Sequence, residues 1–314
     1  MRLRIGPSYE LRFDPESRRA ASFGRNVSVW DLATGKRTVR AHPLQHPSHV
    51  RWSPEGNTLA LKSTSGELVL LNAENLECLG RLQSKAAGEG CGIAFSPSGD
   101  RLLDGTWNGV LATYELRSFG QQLKAEFHDT MITSIEPSPS RRFAAWVLSR
   151  KHSAASAAGP RKSVLLAHWA PSEMALHELD LDADGINATA FDNTETRLAV
   201  GRRGRAGERD RVEIIDLAEN RVVASVDFMS SPNGCSLAWS PDGNIIASVE
   251  NDGFRFYDSS KLSVIASVGF RYASHVEFSA TGRFVALGAW SGGEVRPIES
   301  LLSDVDAGST INPD

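Results

Sequence analysis

The chain has 314 residues, 41% of them hydrophobic and 8% aromatic, and a net charge of −4. Near-neutrality gives no global reason to bind nucleic acid, and nothing approaches the run of about eighteen apolar residues that spans a membrane as a helix. Cys78, Cys91 and Cys235 are an odd set without close spacing. They exclude a disulfide framework or a thiolate zinc site as the expectation and favour a reducing compartment.

From the N-terminus, residues 1–5 alternate as Met-Arg-Leu-Arg-Ile, with no apolar core of signal-peptide length. This fits a cytoplasmic protein. The stretch ahead is organised by a turn that recurs. Trp239-Ser240-Pro241-Asp242-Gly243 has relatives at Trp52-Ser53-Pro54-Glu55-Gly56 and Phe95-Ser96-Pro97-Ser98-Gly99. Weaker copies begin at Phe13, Ser138, Phe191 and Phe278. The proline-equivalent positions are 15, 54, 97, 139, 193, 241 and 280, a spacing of about forty residues that marks a repeat.

Two residues before that position stand Phe13, Trp52, Phe95, Pro137, Phe191, Trp239 and Phe278, and two before those stand residues such as Leu11, Val50, Ile93 and Leu237. A spacing of two puts both on one face of a strand. Small or aliphatic pairs follow the turn, for example Leu59-Ala60, Leu102-Leu103 and Ile246-Ala247. Each turn therefore joins two apolar strands, with Pro presetting φ, Gly supplying positive φ, and Ser or Asp bonding the turn backbone. A third strand is predicted at 27–32, 67–71, 110–116, 164–169, 212–217, 254–257 and 294–298, and a fourth in the first six copies, as at 222–226 and 264–268. Four short antiparallel strands written seven times predict an all-β, seven-bladed closed β-propeller. The blades fall at about 9–41, 48–84, 91–127, 132–180, 186–228, 235–270 and 275–298.

The repeated Ser-Pro-Asp-Gly turn and the literal Trp30-Asp31 pair resemble the WD-repeat family of propellers over roughly residues 9–298. Equivalent pairs are Leu71-Asn72, Tyr114-Glu115, Ile215-Asp216 and Tyr257-Asp258. The resemblance implies a Gly-His before each first strand, tied through Ser or Thr to an Asp and the Trp. The chain departs from this: His42 and His128 are loosely placed, and Asp252 is the best-placed turn Asp.

The last repeat has only three strands, so an exposed edge would remain. Residues 1–5 are expected to add its outer strand and close the ring; the rival donor is 299–305. The tail, 300–314, is polar and acidic and is expected to fray.

His42, His46 and His49 share one loop, but two prolines stiffen it and it holds no carboxylate, so a polar loop rather than a metal site is expected. Residues 149–163 carry Arg150, Lys151, Arg161 and Lys162 without an acid, in an Ala/Ser/Gly-rich composition that predicts a mobile loop. Residues 202–211 carry Arg202, Arg203, Arg205, Arg209 and Arg211 against Glu208 and Asp210. Both insertions lie between second and third strands and are expected on one rim of one face. Between them, Asp180, Asp182 and Asp184 precede Gly185 in a calcium-loop-like spacing, but position twelve is Phe191 rather than Glu. Ion pairing with the arginine loops is the expectation instead. Trp107 and Trp290 fall at the same kind of turn and would suit a contact surface if exposed, or an inter-blade core if buried.

No Gly-x-Ser-x-Gly elbow, P-loop or His-Glu-x-x-His occurs. Taken together, the sequence points to a non-catalytic, cofactor-free interaction scaffold whose loops on one face bind a protein with an acidic patch. The other readings are a hydrolase-like propeller enzyme with a channel site, for which converging His and carboxylates would speak, and a basic-loop nucleic-acid binder.

Overall fold

A computed structural model describes residues 2–24, 26–41, 44, 46–83, 90–127, 130–150, 162–169, 174–179, 185–204, 208–232 and 235–306. A short strand, β1 (Leu3–Ile5), comes first. Then follow β2 (Glu10–Phe13), β3 (Arg19–Phe23), β4 (Val27–Asp31) and β5 (Arg37–Ala41), and β6 (Pro47–Trp52), β7 (Thr58–Ser63), β8 (Glu67–Asn72) and β9 (Cys78–Gln83). Next are β10 (Gly90–Phe95), β11 (Arg101–Thr106), β12 (Val110–Glu115) and β13 (Gln121–Glu126), and β14 (Thr130–Pro137), β15 (Phe143–Arg150), β16 (Lys162–Trp169) and β17 (Met174–Leu179). The chain continues with β18 (Gly185–Phe191), β19 (Arg197–Arg203), β20 (Arg211–Asp216) and β21 (Arg221–Asp227), and β22 (Leu237–Trp239), β23 (Ile245–Glu250), β24 (Gly253–Asp258) and β25 (Val264–Gly269). It ends with β26 (Ala273–Phe278), β27 (Phe284–Ala289), β28 (Gly293–Pro297) and one helix, α1 (Ile298–Asp306).

These strands make seven separate four-stranded sheets. Six are sequential meanders, and the remaining one has the order β1-β28-β27-β26. There Leu3 stands opposite Val295 and Ile5 opposite Gly293, antiparallel, so the N-terminal strand takes the outermost place. Arg2 reinforces it through its Nε, 2.6 Å from the Glu294 carboxylate.

One correction concerns the C-terminus. The segment expected to fray from residue 300 is helical through Asp306, because Leu301 is 3% exposed and packs with Ile298 on the core around Phe256 and Phe278. Residues 307–314 lie outside the described residues.

Both recurring turns have a physical explanation. In every copy of the first, the residue before the proline-equivalent pairs its backbone N–H with the carbonyl five residues on. Examples are Asp14 to Arg19 (2.9 Å), Ser53 to Thr58 (2.8 Å), Asp192 to Arg197 (3.0 Å) and Ser240 to Ile245 (2.8 Å). Its side-chain oxygen accepts the returning N–H, as Ser240 Oγ does from Ile245 (2.9 Å) and Asp14 Oδ1 from Arg19 (2.9 Å). The residue three further on has positive φ in all seven copies: Ser17, Gly56, Gly99, Arg141, Glu195, Gly243 and Gly282. Glycine occupies four of these because it alone meets no Cβ penalty there.

The second turn joins the third and fourth strands. Asp31, Asn72, Asp216 and Asp258 each accept backbone N–H groups two and three residues on, as Asp31 Oδ1 does from Ala33 (3.0 Å) and Thr34 (2.7 Å). The residue four on has positive φ: Gly35, Leu76, Asn220 and Leu262. The Asp of the Trp-Asp-like pairs is thus a turn cap in this chain. Trp30 separately donates its indole N–H to Ser22 Oγ at 2.9 Å.

The chain divides into two compact units, one of 1–42, 190–201 and 209–314, the other of 43–189 and 202–208. In the first, Ile5, Leu11, Phe13 and Val295 form one core between sheets, and Val249, Phe254, Phe256, Val276, Phe278 and Leu287 another. In the second, Leu102 packs with Leu70, Ile93 and Tyr114, while its neighbour Leu103 packs with Leu111, Ile132 and Ile135. Adjacent residues of one strand therefore enter different cores. This is why second and third strands read as unbroken apolar runs rather than alternating ones.

Candidate partner-binding surface

The first and second strands of each sheet are joined by the proline turns. The opposite strand ends hold the turns between second and third strands and the connections to the next sheet. In the larger unit these latter segments are tied into one continuous rim. Phe228 N–H bonds to Asp210 O at 2.9 Å, and Asn251 N–H to Met229 O at 3.1 Å. Ser230 Oγ donates to the Asp210 carboxylate. Ser231 Oγ reaches Ala273 O at 3.4 Å. Trp290 N–H bonds to Tyr272 O at 3.1 Å, and Ser291 Oγ to Arg271 O at 2.6 Å. The Tyr9 and Trp290 rings stand 4.8 Å apart at 46°.

This rim exposes large side chains: Met229 is 59% exposed, Trp290 57% and Tyr272 42%. Tyr272 adopts φ +60, a conformation bulky residues avoid and one that the bonds from Trp290 and Ser291 hold in place. Arg271 lies over its ring, 4.8 Å from the centroid, and donates to its hydroxyl at 2.9 Å.

Beneath the Met229 connection lies a buried carboxylate. Glu250 is fully buried and accepts the Met229 N–H (3.3 Å), the Ser248 hydroxyl (2.9 Å) and the Tyr257 hydroxyl, with Arg255 Nη1 at 3.1 Å. Burial, and then the bond to Glu250, push the Tyr257 hydroxyl well above the usual tyrosine range. Tyr257 is therefore a permanent donor that helps hold the rim from below.

The sequence-derived site residues divide. Lys151, Arg161, Arg205, Asp180, Asp182 and Asp184 lie outside the described residues, as do His42 and His128. Arg150 ends β15 and Lys162 begins β16, so both are strand residues rather than insertion residues. Arg202 and Arg203 end β19 and Arg211 opens β20. Arg209 and Arg211 share Asp227, at 3.1 and 3.6 Å, and Arg202 stands 3.6 Å from Glu208. The loop's positive charge is thus partly neutralised locally, and Asp227 supplies an acid that the 178–184 segment was expected to supply. The two tryptophans part company. Trp107 is half-buried against the core containing Leu103 and Ile132, which removes it from the contact set, whereas Trp290 remains exposed.

Tyr9, Met229, Arg271 and Tyr272 were missed. They sit in the connections between repeats, which an alignment of strands treats as linker. The available cue was the run Phe270-Arg271-Tyr272, aromatic and basic where a connection is ordinarily polar.

Inner strands also bring His and carboxylates together. His275 Nε2 lies 3.9 Å from Glu10 Oε1, and Glu277 is 3.5 Å from Arg12. These groups make structural bonds: His275 Nδ1 accepts Leu11 N–H (3.4 Å), Glu277 accepts Phe13 N–H (2.9 Å), and Glu10 pairs with Arg12 (2.7 Å). They serve the inner-strand N–H groups that no ladder satisfies between β2 and β26. Among the described residues, no three His, Cys, Asp or Glu could together hold a metal. A crevice of about 710 Å³ lies at the proline-turn end beside α1. Its walls oppose Arg18 and Arg283 to Asp31 and Glu299, which favours no single ligand class.

No family model matches the chain, and no curated protein does. Among solved structures, Kuenenia stuttgartiensis hydrazine synthase matches with a TM-score of 0.73 over 93% of this chain and 96% of that one, at 14% identity. The fold is a β-propeller. At that identity the likeness carries the propeller fold alone and not the activity. No helix of the propeller, among the described residues, is long and apolar enough to cross a membrane.

Proposed function

We propose that this propeller is a non-catalytic interaction scaffold that binds a protein partner through the rim holding Tyr9, Met229, Arg271, Tyr272 and Trp290. One observation carries the reading: an exposed Trp, a strained exposed Tyr and a stacked Arg are contiguous on a hydrogen-bonded rim. Trp, Tyr and Arg dominate the energetics of protein interfaces, and a rigid support lowers the ordering cost of binding. The exposed arginines favour a partner with an acidic patch. No cofactor enters this reading, and the odd, widely spaced set of cysteines supports a reducing, cytoplasmic setting. We further read the seven sheets as seven blades of one closed ring of the WD-repeat type, supported by the repeat spacing and by the pairing of β1 with β28.

The test is comparative capture. Nuclease-treated lysate is passed over the wild type and over the Trp290→Ala/Tyr272→Ala variant, matched for melting temperature, and bound proteins are identified by mass spectrometry. A specific protein is expected to be held by the wild type and lost by the variant. Identical protein sets on both would refute the reading, and capture abolished by the nuclease alone would transfer the rim to nucleic acid.

A further inference from the structure

Resting on that reading of the rim, we infer that the Arg271–Tyr272–Trp290–Tyr9 cluster is its anchor subsite and takes a carboxylate side chain lying next to an apolar one. The Arg271 guanidinium carbon lies 4.8 Å from the Tyr272 ring centroid, and one of its donors is used on the Tyr272 hydroxyl. Among the described residues it has no carboxylate at ion-pair distance. A guanidinium retains further donors in a planar fork, and the fork matches a carboxylate in two-pronged geometry. The ring contact and the bond to the Tyr272 hydroxyl restrict the guanidinium, which reduces the ordering cost of accepting an anion.

Beside it, the exposed Trp290 ring tilted against Tyr9 offers an apolar platform backed by a ring rather than by water. The backbone bond from Trp290 to Tyr272 O and the Ser291 bond to Arg271 O join platform and fork. A ligand carboxylate on the fork therefore places its neighbouring side chain within reach of the rings. Asp252, whose backbone carbonyl accepts the Phe270 N–H at 3.0 Å, has its carboxylate 3.6 Å from Arg255 rather than on Arg271. Charge complementarity thus selects an acidic partner segment over a basic one, and the platform selects one carrying an aliphatic residue or proline over one that is merely polar.

The experiment uses fluorescein-labelled peptides on the full-length chain, read by polarisation. The probes are Glu-Glu-Leu-Pro-Glu-Glu, its Lys-for-Glu counterpart and Glu-Glu-Ser-Gly-Glu-Glu. The first is expected to bind at least tenfold more tightly than the other two. Arg271→Ala and Trp290→Ala, each with an unchanged melting temperature, are expected to weaken it at least tenfold. Absence of binding, equal binding of the three peptides, or indifference to both substitutions overturns the subsite. If the subsite fails while the capture experiment still shows a protein lost by Trp290→Ala/Tyr272→Ala, the rim reading stands alone. If both experiments are indifferent, both readings fall.

Discussion

Ser240 illustrates how little chemistry sets one blade. Its hydroxyl accepts the Ile245 N–H, and its own N–H meets the Ile245 carbonyl. Removing the hydroxyl in Ser240→Ala leaves a buried donor unmet and should cost about 1 kcal/mol, roughly 2 to 4 °C in melting temperature, measured by calorimetry. The second turn adds a pH term. Asp258 lies below the usual carboxylate value of 3.8 because the Ser260 hydroxyl and the Lys261 and Ser260 N–H groups bond its charged form. Asp31 is lowered by the Thr34 N–H and then the Thr34 hydroxyl. A carboxylate lowered on folding contributes stability that is complete above the unfolded value and is lost as pH falls through the lower folded one. Thermal stability should therefore decline below about pH 4. Asp258→Asn keeps the acceptor oxygen, as Asn72 shows naturally, and should flatten that decline in acid melts. An unaltered acid slope would contradict this account.

At the scale of elements, the ends of the chain are held differently. β1 contributes three backbone pairs and the buried Ile5, and Arg2 meets Glu294. Deleting residues 1–6 should lower the melting temperature by several degrees, because β28 would then be an unpaired edge. The helix α1 rests mainly on Leu301. Leu301→Ala should cost about 2 kcal/mol and speed amide exchange in α1 before any other element. The period for this helix is present in the sequence, since Ile298, Leu301, Leu302 and Val305 stand at i, i+3, i+4 and i+7; the polar, acidic composition of 300–314 as a whole masks a signal carried by only four residues. Strands, by contrast, were legible to within a residue or two, as β20, β24 and β28 are. Their boundaries coincide with turn residues whose φ and capping needs are local.

At the scale of the molecule, charge matters through position rather than total. The charge of Arg209 is partly offset by Asp227, which it shares with Arg211, whereas Arg271 is exposed without a carboxylate partner among the described residues. Arg271→Ser should therefore weaken partner binding and flatten its dependence on salt, while Arg209→Ser should do so less. Titration of binding against ionic strength checks both. The buried pair Lys62–Asp104, fully enclosed and bonded to Gly105 O, belongs to the same scale: it joins two sheets of one unit through charges that no local pattern signalled.

The amino-acid sequence by itself determined the strands, the two turn types and their sevenfold recurrence, because each rests on bonds within six residues of its origin. It also exposed every arginine that a charge argument could use. Only the tertiary structure decided which of those arginines keep their charge available, that Trp107 is enclosed while Trp290 is not, and that Tyr272 and Arg271 stand beside Trp290. Those outcomes depend on which distant segments meet at the strand ends, and contacts between residues some twenty to three hundred positions apart leave no period in the chain to be read.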